Sequence, residues 1–281
     1  MNRLFCFGLG YCAMHYVRSA RVDGAAGTVR ERPHGAPAHV RIFTFDPADA
    51  ELRSALAASE RILVSVPPDA DGDPVLRAFA KALPRRASIV YLSSLGVYGD
   101  HAGAVVTEDS ECRPQSARSR ARLDAEHAWT AHAASGDSRL SILRLAGIYG
   151  PGRNALIQVK NGQARRIAKP GQVFNRIHVA DIAQAIGAAF ESNASGIFNI
   201  ADDEPSPPGD PIVFAAKLLG VPAPPEIPFD QARPGMSPMA LSFYEECRRA
   251  DNARMKTALG VRLRYPSYRE GLRALFEDGS F

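Results

Sequence analysis

Short apolar runs bounded by turn residues alternate with helical patterns through the first half of the chain. Runs of this length are typical of buried strands, and the longer amphipathic stretches between them are typical of helices. The pattern predicts strands at residues 3–7, 27–30, 40–45, 61–66, 88–93 and 140–145. It predicts helices directly after Gly10 and at residues 49–58, 73–82 and 117–132. Strands that alternate with helices indicate a parallel sheet with helices on both faces, which is a doubly wound α/β fold.

The pattern changes after Tyr149. Residues 150–154 indicate a loop, residues 175–190 a strand that runs into a helix, and residues 197–200 another short strand. The proline-rich stretch 204–238 favours loops between short elements, and a short strand followed by helices is predicted across 243–276. We therefore expect a first domain over 1–150, with 175–200 packing back on it. A smaller α/β substrate lobe over 151–281 would lie at the carboxyl edge of the sheet, where open α/β sheets bind ligands.

Composition and charge narrow the class of partner. The 281 residues are 46% hydrophobic and 23% charged, with a formal net charge of +4, which suits a globular protein that binds small anions. The basic cluster at Arg113, Arg118, Arg120 and Arg122 has no interleaved aromatic residues. It therefore indicates a solvated helix face, and we expect no nucleic-acid partner.

Cysteine usage and hydropathy indicate the compartment. The four cysteines form no CxxC pair and no metal-ligand spacing, so we expect no metal site, and a reducing cytoplasm fits best. The N-terminal stretch MNRLFCFGLGYCAM resembles a signal peptide, but it carries two spaced glycines and no A-x-A cleavage site follows. No other segment approaches the ~20 apolar residues of a membrane span. We expect a cytoplasmic protein without a membrane partner.

The stretch FGLGYCA follows the first predicted strand and opens a helix. Gly8, Gly10 and Ala13 have the spacing G-x-G-x-x-A. In dinucleotide-binding turns the first glycine permits the tight turn, the second lets the backbone approach a pyrophosphate, and the third small residue lets helix and strand pack closely. We therefore assign Gly8, Leu9, Gly10 and Tyr11 to a cofactor site. An ordinary glycine turn is the alternative.

The residues about 20 positions further on bear on the choice of dinucleotide. An acidic group there grips the ribose hydroxyls of NAD, whereas an arginine accommodates the extra phosphate of NADP. The stretch GTVRER contains Arg30, Glu31 and Arg32. A planar guanidinium suits a phosphate, so Arg30 favours NADP. Glu31 leaves NAD open, and a surface loop of mixed charge is the alternative.

Three further residues lie at predicted strand ends. Asp46, after the third strand, is placed to meet an adenine edge, or else it caps the helix predicted at 49–58. Val66 and Pro67 end the fourth strand, where they would line the pyrophosphate, although apolar residues there are equally explained as core.

Four segments together carry a resemblance to a known family: FGLGYCA, YLSSLGVYGD, LRLAGIYGPGRN and NRIHVADIA. With them the chain resembles, almost from end to end, the extended short-chain dehydrogenase/reductases of the NAD-dependent epimerase/dehydratase group. The resemblance implies a Rossmann-type fold and an NAD(P)-dependent oxidoreductase or epimerase. It also implies a small carbonyl or sugar-nucleotide substrate and a homodimer formed through a two-helix contact.

In that family a Ser or Thr, a Tyr and a Lys act together, the last two spaced Y-x-x-x-K on one helix. Ser94 matches the serine position, although a hydroxyl that closes a strand end is the alternative. Arg118 falls at the tyrosine position and Arg122 at the lysine position, where an ion pair with Glu126 one turn on would also explain it. The resemblance thus assigns Ser94, Arg118 and Arg122 to the catalytic site. A guanidinium does not release a proton near neutrality, so the usual proton donor is missing.

Three residues are candidates to replace that donor. Tyr98 and Tyr149 lie in predicted loops near the carboxyl edge of the sheet, and His178 belongs to a residue type that titrates near pH 7. Each also has a structural explanation, since such tyrosines often pack or face substrate and a histidine between Ile177 and Val179 is commonly buried. Two hypotheses follow: an NAD(P)-dependent enzyme of atypical mechanism, or a non-catalytic protein that senses NADP(H) or regulates a partner.

Overall fold

The computed structural model describes residues 3–20, 24–30, 37–192 and 194–281. The strands, in chain order, are β1 (Arg3–Phe7), β2 (Gly24–Val29), β3 (Val40–Thr44), β4 (Arg61–Val64), β5 (Ser88–Ser94), β6 (Val105–Val106), β7 (Arg139–Leu145), β8 (Gly147–Tyr149), β9 (Arg166–Ala168), β10 (Arg176–His178), β11 (Gly196–Ile200), β12 (Glu226–Pro228) and β13 (Arg249–Ala250). The helices are α1 (Tyr11–Ser19), α2 (Ala50–Ala57), α3 (Pro74–Phe79), α4 (Ala117–Ser135), α5 (Ala155–Lys160), α6 (Val179–Glu191), α7 (Asp210–Leu219), α8 (Phe229–Ala232), α9 (Pro238–Glu245), α10 (Ala253–Ala258) and α11 (Tyr268–Glu277).

The central sheet has seven strands in the order β11-β7-β5-β4-β1-β2-β3. Every neighbouring pair is parallel, so the carboxyl ends of all seven strands meet at one edge. This arrangement confirms the predicted Rossmann-type fold. The strand order reverses on either side of β1, and open α/β sheets bind ligands at the carboxyl edge where such a reversal occurs.

The side chains of β1 show how the sheet buries both of its faces. Leu4 and Cys6 point into a cluster that includes Ala13 of α1 and Ile182 of α6. Phe5 and Phe7 point the other way, into a cluster that includes Leu52 of α2 and Trp129 of α4. Successive residues of a strand face opposite sides of a sheet, so a run that is apolar at every position forms a strand covered on both faces. Burial raises the pKa of the Cys6 thiol far above its usual range, as suits a core residue.

The second half of the chain contributes to the same sheet and also builds small strand pairs. β11 lies beside β7, and α6 packs on α1. Three parallel pairs, β8–β10, β9–β12 and β6–β13, stand outside the central sheet. α5, α7 and α11 enclose a cluster that contains Leu156, Ile212 and Leu272. The predicted division into domains 1–150 and 151–281 stays a prediction.

The proline-rich stretch holds a longer helix than the sequence indicated. α7 runs for ten residues, and Pro211 lies in its first turn. Proline is favourable there because its fixed φ suits a helix and its missing N–H would have had no intrahelical partner. Gly220 ends the helix in the left-handed conformation, with φ +68°. The sequence analysis did not predict α7 because it took the prolines of this stretch to indicate loops.

Two sequence expectations concern membranes and metals. Within the described residues, no helix is both long enough and apolar enough to cross a bilayer. The same residues contain no group of three or more histidine, cysteine or acidic side chains arranged to hold a metal ion.

Candidate functional site

Residues 7–11 form the turn between β1 and α1 in which the sequence predicts cofactor binding, and we call it the cofactor turn. Gly8 has a φ of +86°, and its N–H donates to Oγ1 of Thr28 over 3.0 Å. A Cβ on Gly8 would lie 2.9 Å from Cγ2 of Val66, so only glycine fits this position. The N–H of Leu9 donates to the carbonyl of Thr28 over 2.8 Å, and the Leu9 side chain is buried. β2 and the segment after β4 thus hold the turn. β4 ends at Val64, two residues before the predicted end, and a role for Val66 beside a pyrophosphate stays a prediction.

No side chain caps the N–H groups at the amino terminus of α1. Gly10 occupies the N-cap position without a side-chain hydrogen bond, and α1 has no acidic residue in its first turn. A Cβ on Gly10 would meet nothing within 4 Å, so open space lies in front of this residue. Unsatisfied N–H groups and the helix dipole make such a terminus favourable for a phosphate. The residues present therefore fit the diphosphate of a dinucleotide.

Tyr11, the first residue of α1, holds the loop of residues 150–154 against the cofactor turn. Its hydroxyl donates to the carbonyl of Pro151 over 2.9 Å. A Cβ on Gly150 would lie 2.7 Å from that hydroxyl and 2.6 Å from Cγ1 of Val179. The 150–154 loop therefore approaches α1 as closely as a glycine permits. Burial raises the pKa of Tyr11 to about 12, so the hydroxyl stays protonated and can donate.

Arg30 follows the last residue of β2 and is exposed at the carboxyl edge of the sheet. That is the edge at which a ribose phosphate would lie if α1 holds a diphosphate. Glu31 and Arg32, which left the choice between NAD and NADP open, lie outside the described residues.

Asp46 is exposed, and its Oδ1 accepts from the N–H of Ala48 over 2.8 Å, which is a local turn. The alternative role that we considered for it, capping the following helix, is wrong. Asp49 caps α2, because its Oδ1 accepts from the N–H groups of Glu51 and Leu52. Pro67 is exposed three residues after the end of β4.

Ser94 ends β5 at the carboxyl edge and begins the short 3-10 turn Leu95–Tyr98. Its Oγ accepts from the N–H of Gly96 over 3.1 Å, which leaves the hydroxyl proton free to donate elsewhere. A Cβ on Gly96 would lie 3.4 Å from this Oγ and 2.9 Å from Oγ of Ser119. The two hydroxyls therefore converge on the space that the missing side chain leaves.

Sequence reasoning missed Ser119, which neighbours the arginine at the family's tyrosine position. It is buried near the start of α4, and the Ser116 hydroxyl donates to it over 2.9 Å. The glycine two residues after Ser94 was the available signal, since a small residue there permits a helix to approach closely.

Arg118 points away from these hydroxyls. Its side chain is exposed, and its guanidinium carbon lies 5.6 Å from the ring centroid of Phe243 in α9. Phe243 is itself 50% exposed, so the pair forms a contact at the surface between the start of α4 and the second half of the chain. Cation–π contacts at exposed sites are worth about 0.5–1 kcal/mol.

Arg122 is tied to β5. Its Nη1 donates to the carbonyl of Leu92 over 2.9 Å and to the Tyr91 hydroxyl over 3.0 Å. The ion pair with Glu126 that we considered for Arg122 is wrong. Glu126 instead pairs with Arg144 of β7, with a distance of 2.7 Å between Nη2 and Oε2.

The Glu126–Arg144 pair lies in the interior beneath the middle of α4. The side chains are only 2% and 3% exposed. The Ser93 hydroxyl also donates to Glu126, and the Arg144 guanidinium lies 4.7 Å from the ring centroid of Tyr98. Nη1 of Arg144 has no hydrogen-bond partner among the described residues. The pair joins α4, β5 and β7 directly under the residue that precedes Ser94.

Tyr98 and Tyr149, two of the candidate proton donors, are held inside the protein. The Tyr98 hydroxyl donates to Oδ1 of Asn199 over 2.8 Å, and burial raises the pKa of Tyr98 to about 12. The Tyr149 hydroxyl donates to the carbonyl of Ser267 over 3.2 Å, and burial raises the pKa of Tyr149 further still. Both protons are engaged within the protein, so neither tyrosine can readily give its proton to a substrate.

His178, the third candidate, is only 4% exposed and packs against the rings of Tyr149 and Tyr265. Its Nδ1 accepts from the N–H of Ala180 over 3.1 Å, which caps α6. Burial, followed by the charges of His15 and Arg264, lowers the pKa of His178 to about 4. The imidazole is therefore neutral at pH 7, and its Nε2 is buried without a partner among the described residues.

Comparison with known proteins finds a family that matches part of the chain. Residues 72–201 match the model of the NAD dependent epimerase/dehydratase family. The chain is thus similar to that family over just under half of its length. It is also similar to a 3-diazoavenalumate denitrifying reductase from Streptomyces sp, with 32% identity over 150 residues that cover 50% of this chain and 48% of that protein. The matched segment thus spans about half of that curated relative.

Two solved structures are similar to this chain over its whole length. A functionally unknown conserved protein from Silicibacter pomeroyi DSS is 40% identical, with full coverage of both chains and a TM-score of 0.86. MoeE5, solved with UDP-glucuronic acid and NAD, is 21% identical, with 99% and 98% coverage and a TM-score of 0.77. The second likeness shows the fold alone. The resemblance drawn from the motifs is supported by the family match over residues 72–201 and by the reductase relative.

Proposed function

We propose that this chain is an NAD(P)-dependent oxidoreductase or epimerase of atypical mechanism that acts on a small carbonyl or sugar-nucleotide substrate. The observation that supports it most is that the uncapped amino terminus of α1 lies at the same sheet edge as the Ser94 hydroxyl. A bound nicotinamide dinucleotide supplies or accepts a hydride. MoeE5 was solved with a UDP-sugar and NAD, and the Streptomyces relative is named a reductase, so both substrate classes are worth testing.

The chain's own residues would hold the reactants as follows. The amides at the start of α1 bind the diphosphate, and Arg30 binds a ribose phosphate, which favours NADP over NAD. Ser94 donates a hydrogen bond to the substrate oxygen, because its hydroxyl proton is not used within the turn. Arg122, which donates to the carbonyl of Leu92 two residues before Ser94, contributes positive charge near that oxygen and stabilises developing negative charge. Arg118 contacts Phe243 at the surface instead.

The proton that tyrosine usually supplies needs another source. Ser119 is our candidate, because its hydroxyl and the Ser94 hydroxyl both border the space beside Gly96, and because it receives a hydrogen bond from Ser116. In reduction, the Ser119 proton passes to the substrate oxygen, the Ser116 proton passes to Ser119, and water restores the proton of Ser116. A positioned general acid typically contributes about 10²–10⁴ in rate. A serine hydroxyl is far less acidic than the tyrosine of the family, so we expect slow turnover.

A second candidate function is a dinucleotide-binding protein without turnover. The contact of Arg118 with Phe243 favours it, because the side chain at the family's tyrosine position serves a surface contact. The two functions differ in one measurement. The purified protein is titrated with NADPH and NADH by fluorescence. It is then screened with small carbonyl compounds at the absorbance of reduced nicotinamide. UDP-glucose and UDP-glucuronate are screened by chromatography of the sugar nucleotides, because epimerisation leaves the nicotinamide unchanged overall.

Turnover of any probe supports the enzyme, whereas binding without turnover supports the sensor. The double variant Arg118→Tyr/Arg122→Lys rebuilds the Y-x-x-x-K pair and should gain or increase turnover if only the proton donor was lost. Arg120→Lys is the matched control, because Arg120 lies on the same helix but donates to the carbonyl of Gln115 over 2.6 Å. The absence of binding of either dinucleotide would refute both functions.

A further inference from the structure

We propose that Arg153, carried by the 150–154 loop, binds the diphosphate of the dinucleotide opposite the amides of α1. The inference rests on the proposed dinucleotide binding and adds to it a side chain that no part of the glycine motif indicates. Its basis is the placement of a charged loop residue beside an uncapped helix terminus, with neither charge offset by an acidic side chain.

The loop that carries Arg153 is fixed at several points. The N–H and carbonyl of Arg153 pair with those of Gly150, each over 3.0 Å. Asn154 is buried, and its Nδ2 donates to the carbonyl of Gly150 over 2.9 Å while its Oδ1 caps α5. Together with the hydrogen bond from Tyr11 to Pro151, these contacts leave the backbone at residue 153 little freedom. Arg153 therefore starts from a defined position next to α1.

The side chain of Arg153 is exposed and lies close to the first turn of α1. Its positive charge lowers the pKa of Tyr11 and of Cys12, against the larger raising effect of burial on both groups. Among the residues that the structure describes, Arg153 forms no ion pair with a carboxylate. The nearby helix supplies no acidic residue in its first turn.

This arrangement places two positive features side by side. The amino terminus of a helix carries the equivalent of about half a positive charge, and a guanidinium beside it adds a full one. The two repel each other unless an anion lies between them. A diphosphate satisfies both, because it accepts from backbone N–H groups on one side and from the planar guanidinium on the other.

Close packing around Gly150 fixes the loop further. A Cβ on Gly150 would lie 2.7 Å from the Tyr11 hydroxyl and 3.5 Å from Nε2 of His178. The loop therefore stays against α1 only because residue 150 has no side chain.

The test compares Arg153→Gln with the wild type and with Arg85→Gln. Arg85 is an exposed loop arginine that precedes β5, at the opposite edge of the sheet, so its substitution makes the same change in net charge. Calorimetry measures the binding of NADH, NADPH, ADP-ribose, adenosine and UDP to each protein. Circular dichroism and the melting temperature check that each variant is folded.

We expect Arg153→Gln to weaken ADP-ribose and both dinucleotides roughly ten- to a hundredfold, because a hydrogen bond between charged groups is lost. The salt dependence of binding should fall as well, whereas adenosine, which has no phosphate, should bind both proteins equally. Arg85→Gln should match the wild type throughout.

Each contrary result has a distinct meaning. Wild-type affinity for ADP-ribose in Arg153→Gln overturns the role of Arg153 and leaves dinucleotide binding standing. Weakened UDP with unchanged ADP-ribose overturns it too, and assigns Arg153 to the substrate. A wild-type protein that binds no dinucleotide removes the proposed function together with this inference.

Discussion

Replacing Glu126 by glutamine tests how far the stability of the protein depends on the ion pair between Glu126 and Arg144. Glutamine keeps the shape of the side chain but leaves the Arg144 guanidinium, 3% exposed, without a counter-charge. Removing one partner of a buried ion pair typically costs about 3–5 kcal/mol, because the remaining charge stays in a low-dielectric interior. Native domains are stable by about 5–15 kcal/mol, so Glu126→Gln should remove roughly a fifth or more of the free energy of unfolding.

Urea denaturation followed by circular dichroism measures the loss. With a denaturant slope of about 3 kcal/mol per molar, the midpoint should fall by about 1–1.7 M. Glu51→Gln is the matched control, because Glu51 pairs with Arg41 over 3.2 Å but is 80% exposed. Exposed pairs contribute about 0–1 kcal/mol, so this midpoint should move little.

The double variant Glu126→Leu/Arg144→Met separates charge from packing. Since it removes both charges, it should recover most of the stability that the single variant loses. If Glu126→Gln unfolds within about 1 kcal/mol of the wild type, the reasoning is refuted, because the guanidinium must then find water or another partner.

Three other variants probe the cofactor turn, the choice of dinucleotide and the buried histidine. Gly8→Ala should weaken NADH binding at least tenfold, because alanine disfavours a φ of +86° and its Cβ would contact Val66; equal affinity by calorimetry would contradict this. Arg30→Gln should weaken NADPH severalfold more than NADH in fluorescence titrations, and equal losses would argue against a phosphate contact. The pKa of about 4 for His178 lies below the usual 6.5, so its stabilising effect is complete above pH 6.5 and is lost as the pH falls through 4. Relative to His178→Asn, the wild type should lose about 2–3 kcal/mol of unfolding free energy between pH 7 and pH 4.5, and a constant difference across that range in urea titrations would refute it.

The fold was largely predictable from the sequence, because the signals that specify it are local. Phe5 and Phe7 alternate with Leu4 and Cys6, and such a continuous apolar run predicts a strand buried on both faces. The glycine turn followed by an apolar helix is equally local. β2 was the weakest prediction: it begins at Gly24, three residues before the predicted start, because its small residues pair with β1 but carry little hydropathy.

The site was less predictable, because its contacts join distant parts of the chain. Arg122 and Glu126 have the spacing of a helical ion pair. In the structure, however, Arg122 donates to the carbonyl of Leu92 in β5. Glu126 pairs with Arg144 in β7. Nothing in the local sequence of α4 indicates which strand groups face it. The role proposed for Arg153 likewise depends on a distant contact. Its loop lies against α1 through the hydrogen bond from Tyr11 to Pro151, two residues that are 140 positions apart in the sequence.

The pairing of β11 with β7 has a consequence for the way the molecule can be divided. A fragment that ends at residue 150 would lose β11 and α6, leaving β7 as a bare edge strand and stripping the apolar cover from α1. Exposed edges and faces of that kind promote aggregation. We therefore expect that residues 1–150 do not fold alone, and that a fragment meant to bind the dinucleotide must include residues 176–200 as well.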